Sequence, residues 1–229
     1  MMEDFIYERE TAPCGVEVET IYGADNKSAK VWKMFAMQIF SESGSDYRQI
    51  DHTESGAPLL DGIARRISVT HTSHFLQVAS LPKTPETDLS DVCPRTAMGI
   101  DAETADRSQV LKIQDKFLNS GEKGLLPAAD DPEKATAEDV AAYILAWTCK
   151  EALYKADLGK AADWKEDYRI IALPAIAEDM RHATQEKYGK GLVKDPLLGD
   201  IEMILTSWKS RGHIVTIAFS PKIAKFSGK

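Results

Sequence analysis

The sequence has little that would suit a secreted or membrane-embedded protein. Its three cysteines, Cys14, Cys93 and Cys149, are scattered and form no C-x-x-C pair, which argues against a disulfide framework and is typical of a reducing compartment. No run of about 20 apolar residues is present, as a membrane-spanning helix would need. The acidic N-terminus has no apolar segment of the signal-peptide type. We therefore expect a cytoplasmic protein without a membrane partner.

An excess of positive charge is also absent. The chain has 229 residues, 36 acidic and 28 basic side chains, and a formal net charge of −8. Nucleic acid is not expected as a partner, because its phosphates attract basic surfaces. The composition is 43% hydrophobic and 28% charged, which is typical of a folded protein. The length fits one domain or two small, closely packed lobes, and we expect a monomer.

The hydrophobic pattern predicts a mixture of helices and strands. Helices are predicted at residues 30–40 and about 108–119, and strands at 169–173, 201–205 and 213–219. The proline-containing segment 81–94 is predicted to connect two lobes. The loop 121–136 is expected to be mobile or to face a partner.

One predicted helix has charges within its apolar stripe. Residues 138–158 are rich in Ala and Leu and follow Thr136, a favourable N-cap. At about 100° per residue, Glu151 and Lys155 fall within roughly 20° of the direction of Ile144. A surface ion pair is the simplest interpretation, but the apolar surroundings disfavour it, because a buried charge is costly unless it is compensated. The polar edge of the helix is predicted to lie elsewhere and to contain Asp139, Lys150 and Asp157.

Two carboxylates share one face of a short predicted strand. Residues 98–103 alternate apolar and acidic side chains, so Asp101 and Glu103 point the same way. Adjacent carboxylates raise each other's pKa unless a cation lies between them. Mg²⁺ is the hard cation that such oxygens prefer. A solvated surface pair is the alternative interpretation, because Asp-x-Glu pairs are common.

A polar turn with two histidines joins two further predicted strands. The whole group spans residues 66–79, and its polar part includes the hydroxyl residues Ser68, Thr70, Thr72 and Ser73 with His71 and His74. Its backbone N–H groups, its hydroxyls and the imidazole of His71 could bind an anion. A plain hairpin turn is the alternative. A zinc site is disfavoured, since His71 and His74 have no cysteine nearby.

Together and in this order, these motifs resemble those of the 4′-phosphopantetheinyl transferases, in particular the larger single-chain, surfactin-synthetase-activating (group II) type. The resemblance spans about residues 56–168. Its three main motifs are Ser68-Val-Thr-His71-Thr, Gly99-Ile-Asp101-Ala-Glu103 and Trp147-Thr-Cys-Lys150-Glu151-Ala-Leu-Tyr-Lys155. Supporting matches are Gly56-Ala-Pro58-Leu, Arg107, Lys116-Phe-Leu and Glu122.

The resemblance implies an α+β fold with two similar lobes related by a pseudo-two-fold axis and an active site between them. Residues 1–95 would form the N-terminal lobe and its linker. Residues 96–229 would form the C-terminal lobe with the metal-binding and helix motifs. The chain departs from the family at Ala57, where Lys is usual, and on the N-terminal helix, whose basic residues hold the 3′-phosphate of coenzyme A. The available replacements there are Lys27, Lys30 and Lys33.

The same resemblance implies a reaction. The chain would transfer the 4′-phosphopantetheine group of coenzyme A to a serine of an acyl or peptidyl carrier protein, with Mg²⁺ as cofactor. The resemblance assigns Asp101, Glu103 and Glu151 to Mg²⁺, Glu151 and Lys155 to catalysis, and His71, Lys150 and Lys155 to coenzyme A. The alternative is a non-catalytic member of the fold that binds a carrier protein or coenzyme A. Another Mg²⁺-dependent phosphotransferase is disfavoured, because no P-loop or kinase motif occurs.

Overall fold

The computed structural model describes residues 6–23, 50–52, 58–60, 63–64, 67–81, 98–129, 132–157, 163–196 and 198–221. These parts of the chain form a mixed α and β structure with largely antiparallel sheets. The predicted helix at 30–40 lies outside the described residues, as does the predicted connection at 81–94 except for its first residue. The division into two lobes at residue 95 stays a prediction.

The first large sheet comes from the N-terminal part of the chain. Its strands are β1 (Ile6–Thr11), β2 (Glu17–Tyr22), β6 (Ile67–His71) and β7 (Phe75–Ser80), in the antiparallel order β1-β2-β7-β6. A separate small sheet contains β3 (Ile50–His52), β4 (Pro58–Leu60) and β5 (Ile63–Ala64). The hairpin β6–β7 confirms the two strands predicted around the histidine turn.

The second large sheet follows from residue 98 onwards. Its strands are β8 (Met98–Thr104), β9 (Tyr168–Ala172), β11 (Gly189–Asp195), β12 (Gly199–Ser210) and β13 (His213–Phe219), in the antiparallel order β8-β13-β12-β11-β9. The short strand β10 (Ile176–Ala177) pairs with β12 in parallel. The strands predicted at 98–103, 169–173, 201–205 and 213–219 are confirmed.

Helices lie mainly on one side of the second sheet. They are α1 (Gln109–Phe117), α2 (Ser120–Lys123), α3 (Ala137–Ala156) and α4 (Trp164–Asp167), with 3₁₀ turns at Met180–His182 and Gln185–Lys187. A capping box between Thr136 and Asp139 starts α3. A second capping box, between Asn119 and Glu122, starts α2, so the prediction of an irregular loop is wrong at that point. No helix in the described ranges is both long and apolar enough to cross a membrane.

Strand alternation in β8 separates two cores and sets the position of the site. Met98, Ile100 and Ala102 pack into the core shared with the first sheet. Asp101 lies on the opposite face together with Gly99, whose missing side chain lets α3 approach closely. A Cβ at Gly99 would stand 2.1 Å from the carbonyl oxygen of Ala152 on α3.

The predicted polar edge of α3 is wrong for two of its three residues. Lys150 is completely buried, and Asp157 is 2% exposed. The chain after α3 folds back over this side, and the hydroxyl of Tyr168 donates to the Asp157 carboxylate at 3.1 Å. Helical periodicity indicates which residues share a face but does not reveal what later segment will cover it.

Candidate active site

A cleft of about 1480 Å³ brings the three sequence motifs together. Its walls are the histidine turn of the first sheet, the C-terminal end of β8, one face of α3, and the turn between β12 and β13. Five of the six predicted site residues line this cleft: His71, Asp101, Glu103, Glu151 and Lys155.

Asp101 is held by side chains from two other elements. Its Oδ1 accepts hydrogen bonds from Thr70 Oγ1 at 3.1 Å and from Lys155 Nζ at 2.7 Å. Burial raises the pKa of Asp101 above its ordinary value, and the positive charge of Lys155 opposes this rise. The ion pair therefore compensates a carboxylate that would be costly to bury alone.

Glu103 is paired with a cation from the loop after β8. Arg107, four residues later, donates from Nη1 to Glu103 Oε2. The other carboxylate oxygen accepts from the backbone N–H of Thr104 at 2.9 Å. The Arg107 side chain is half-exposed, 51% of its surface being open to solvent, so this partner can exchange with solvent or a ligand more readily than Lys155.

Glu151 faces the same cleft from α3. Burial is the main reason that the pKa of Glu151 is raised to about 7, and the negative charge of Asp101 adds to it. Lys155, one helical turn later, opposes the rise only in part. A carboxyl group with a pKa near 7 is suited to accept a proton at neutral pH.

His71 closes β6 at the rim of the cleft. Burial lowers the pKa of His71, and the nearby charge of Lys155 lowers it further. The imidazole is therefore neutral at pH 7, so it can donate one hydrogen bond without adding a full charge.

Lys150 is the predicted site residue that the structure does not bring to the cleft. Its Nζ lies 2.7 Å from Glu122 Oε1. It also donates to backbone carbonyls around α4, those of Trp164, Lys165 and Tyr168. Burial lowers the pKa of Lys150, while the hydrogen bond to Glu122 opposes this effect. Lys150 ties α3 to α2 and α4, and its contact with coenzyme A stays a prediction that its position outside the cleft disfavours.

The turn between β12 and β13 supplies cleft residues that the sequence motifs miss. His213 Nδ1 donates to the Arg211 carbonyl, so Nε2 accepts from the Thr72 hydroxyl at 3.0 Å. The His213 ring stacks on Phe75 with centroids 4.2 Å apart. Burial lowers the pKa of His213, which keeps the ring neutral. The only sequence signal for these contacts is a lone His after Gly212, which by itself predicts nothing about the cleft.

Arg211 fastens the same turn to the first sheet. Its guanidinium pairs with Glu8 on β1 and lies over the Tyr22 ring on β2, 5.5 Å from the centroid. Arg211 has φ 46° and Gly212 has φ 79°, the left-handed conformations of a tight two-residue hairpin. A non-glycine residue in this region carries some backbone strain.

The donor atoms in the cleft suit a hard metal ion. Asp101, Glu103 and Glu151 offer carboxylate oxygens, and the pKa of Glu151 responds to both of the others. Oxygen donors of this kind suit Mg²⁺. Within the described ranges, no group of three or more His, Cys, Asp or Glu side chains is close enough to hold an ion ready-made. In this conformation Lys155 and Arg107 neutralise two of the carboxylates instead.

Comparison with known proteins supports the family resemblance of the motifs that meet in the cleft. A search of curated proteins found no match to the chain. A family model, that of the 4′-phosphopantetheinyl transferase superfamily, matches residues 97–215, more than half of the chain. The matched segment begins just before β8 and extends into β13, so it includes the carboxylate strand and the charged face of α3. The chain therefore belongs to the 4′-phosphopantetheinyl transferase superfamily.

Proposed function

We propose that this chain transfers the 4′-phosphopantetheine group of coenzyme A to a serine of an acyl or peptidyl carrier protein, with Mg²⁺ as cofactor. The observation that carries the proposal is the convergence of Asp101, Glu103, Glu151 and Lys155 in one cleft. The proposal includes the group II type and a pair of similar lobes related by a pseudo-two-fold axis, as the resemblance to the family implies.

The reaction is a displacement at phosphorus. The serine oxygen forms a bond to the β-phosphorus of the coenzyme A pyrophosphate, and the bond from that phosphorus to the bridging oxygen breaks. Adenosine 3′,5′-bisphosphate leaves with the electron pair, and the serine proton passes to a base. Because negative charge develops on the phosphate oxygens, the protein has to position the reactants and neutralise this charge.

The cleft residues suit these tasks. Glu151 faces the cleft from α3 and would act as the base that takes the serine proton, directly or through water. Lys155 would neutralise charge on the pyrophosphate, and His71 would donate a hydrogen bond to it. Asp101 and Glu103, together with Glu151, would hold Mg²⁺. When bound, the ion would supply further charge neutralisation at the pyrophosphate.

Mass spectrometry of apo carrier proteins tests the proposal. Several carriers are incubated with the chain, coenzyme A and Mg²⁺, and at least one should gain the mass of one phosphopantetheine. The same carrier with its acceptor serine replaced by alanine should gain nothing. If coenzyme A binds and no carrier is modified, the non-catalytic alternative is favoured.

A further inference from the structure

Two buried hydroxyl groups join the edges of the two large sheets. Strands β6 and β8 each end their sheet, and no backbone ladder connects them among the described strands. Instead, the N–H of Ile100 donates to Ser68 Oγ at 3.0 Å, and the N–H of Ala102 donates to Thr70 Oγ1 at 3.0 Å. Both hydroxyl residues are almost fully buried. The side chains of β6 thus satisfy backbone donors of β8 that a neighbouring strand would otherwise bind.

Thr70 makes a further bond that reaches into the cleft. Its oxygen accepts from Ala102, so its single hydrogen is free to donate to Asp101 Oδ1, 3.1 Å away. The same Oδ1 accepts from Lys155 on α3. The Thr70 hydroxyl therefore fixes the register of β8 beside β6. It also fixes the orientation of the Asp101 carboxylate.

We propose that Thr70 is a positioning residue, which acts through Asp101 and prepares that carboxylate for the cation and the pyrophosphate. This inference rests on the proposed function, because that function gives Asp101 its task. A hydrogen-bonded partner that holds a ligating carboxylate in one orientation raises metal affinity, since less order has to be imposed on binding. The Thr70 side chain is buried, so its oxygen cannot move away from Asp101 by rotation of the side chain without losing the bond to β8.

Three variants separate positioning from simple sheet joining. Thr70→Val keeps the shape of the side chain and removes both bonds. Thr70→Ser keeps the hydroxyl. Ser68→Ala is the matched control, because it removes the same kind of bond to a β8 backbone donor two residues earlier. Each variant is measured for thermal unfolding, for Mn²⁺ affinity by electron paramagnetic resonance, and for kcat and KM of transfer.

Thr70→Val should weaken Mn²⁺ binding and lower kcat by about 10–100-fold, the range seen when a residue that orients a metal ligand is removed. Thr70→Ser should restore both quantities to near the wild-type values. Ser68→Ala should lower the unfolding temperature by about as much as Thr70→Val, with much smaller changes in Mn²⁺ affinity and kcat. KM for the carrier protein should change little in all three variants.

Equal losses of Mn²⁺ affinity in Thr70→Val and Ser68→Ala would overturn the proposal and leave Thr70 as a structural joint. A failure of Thr70→Ser to recover would overturn it as well. The proposed function can fail separately. If the wild-type chain binds Mn²⁺ but modifies no carrier, the transfer reaction is refuted, while the difference in Mn²⁺ affinity between Thr70→Val and Ser68→Ala still decides the role of Thr70.

Discussion

Glu151 is a charged residue of the cleft that is partly shielded from solvent, and this shielding makes its charge sensitive to pH. Its pKa is about 7 in the folded chain against about 4.3 for an unperturbed glutamate. A carboxyl group whose pKa is higher in the folded than in the unfolded state stabilises the fold least when it is ionised. The contribution of Glu151 to the free energy of unfolding therefore falls as the pH rises from about 4 to above 7.

Replacing Glu151 by Gln should raise stability and remove activity. In metal-free buffer at pH 8, the free energy of unfolding should increase by about 1–3 kcal/mol, because a costly buried charge is gone. At pH 5 the increase should be much smaller, since folded wild type is already protonated there. Chemical unfolding at both pH values measures this. Carrier modification at saturating Mg²⁺ should fall by orders of magnitude.

The control for this prediction is Glu138→Gln, at the exposed start of α3. It should leave stability nearly unchanged at both pH values and should not slow transfer. Near-wild-type transfer by Glu151→Gln would remove Glu151 from the mechanism and leave it as a surface partner of Lys155.

Replacing Lys150 by Met should destabilise the fold without a selective effect on coenzyme A. The change leaves the Glu122 carboxylate buried without its cation, and breaking a buried pair from one side costs about 3–5 kcal/mol. The double variant with Glu122→Gln should cost less than Lys150→Met alone. Urea unfolding measures the stabilities, and calorimetry of the folded protein measures coenzyme A binding. A stable Lys150→Met variant with weakened coenzyme A binding would return Lys150 to the ligand site.

At the scale of elements, the sequence predicts well those features that depend on short spacing. Helix α3 follows from its composition and its Thr136 cap, and the shared face of Asp101 and Glu103 follows from strand alternation. The contacts of Thr70 with β8 could not be predicted, because they join residues about 30 positions apart. The burial of Lys150 depends on α4 and β9, which come later in the chain. Periodicity contains no information about such covering segments.

The close packing of β8 against α3 should make Gly99 intolerant of any side chain. In Gly99→Ala the new Cβ would lie 2.1 Å from Ala152 O and 2.5 Å from Ala156 N, so the helix has to move away from the strand. Overpacking of this kind costs about 1–3 kcal/mol. Because Lys155 moves with the helix, we also expect weaker Mn²⁺ and coenzyme A binding. Thermal unfolding and titration calorimetry check the two effects.

Gly121→Ala in α2 is the matched control, because its Cβ would meet its nearest neighbour at an ordinary 3.4 Å. Alanine also favours a helix more than glycine does. This variant should be as stable as wild type or slightly more stable. A Gly99→Ala variant with wild-type stability and binding would show that α3 is not held against β8 as closely as the structure indicates.

At the scale of the whole molecule, the net charge of −8 bears on how a carrier protein approaches. If the carrier is acidic, two negative proteins repel each other at long range, and salt screens this repulsion over about 10 Å at 0.1 M. We therefore expect kcat/KM for an acidic carrier to rise between about 20 and 150 mM salt at constant Mg²⁺. A neutral serine peptide from the same carrier should show no such rise.

A decrease of kcat/KM with added salt would point to a local basic patch. Lys112 and Lys116 are exposed on α1, directly after the cleft residue Arg107. If they guide the carrier, kcat/KM should fall with added salt, and replacing both lysines by alanine should abolish the fall. If kcat/KM increases with salt and the lysine replacements do not change this increase, the net charge dominates the encounter.

The hydrogen bonds by which Ser68 and Thr70 join β6 to β8 also bear on aggregation. A strand at the end of a sheet leaves backbone groups that can pair with another chain. Here β6 and β8 face each other, so one contact shields both edges, and Ser68 and Thr70 occupy the donors of β8 that a foreign strand would need. When the contact between β6 and β8 breaks, the edges of both sheets are exposed at once. Intermolecular β-structure should therefore begin from molecules whose two sheets have separated while each sheet is still folded.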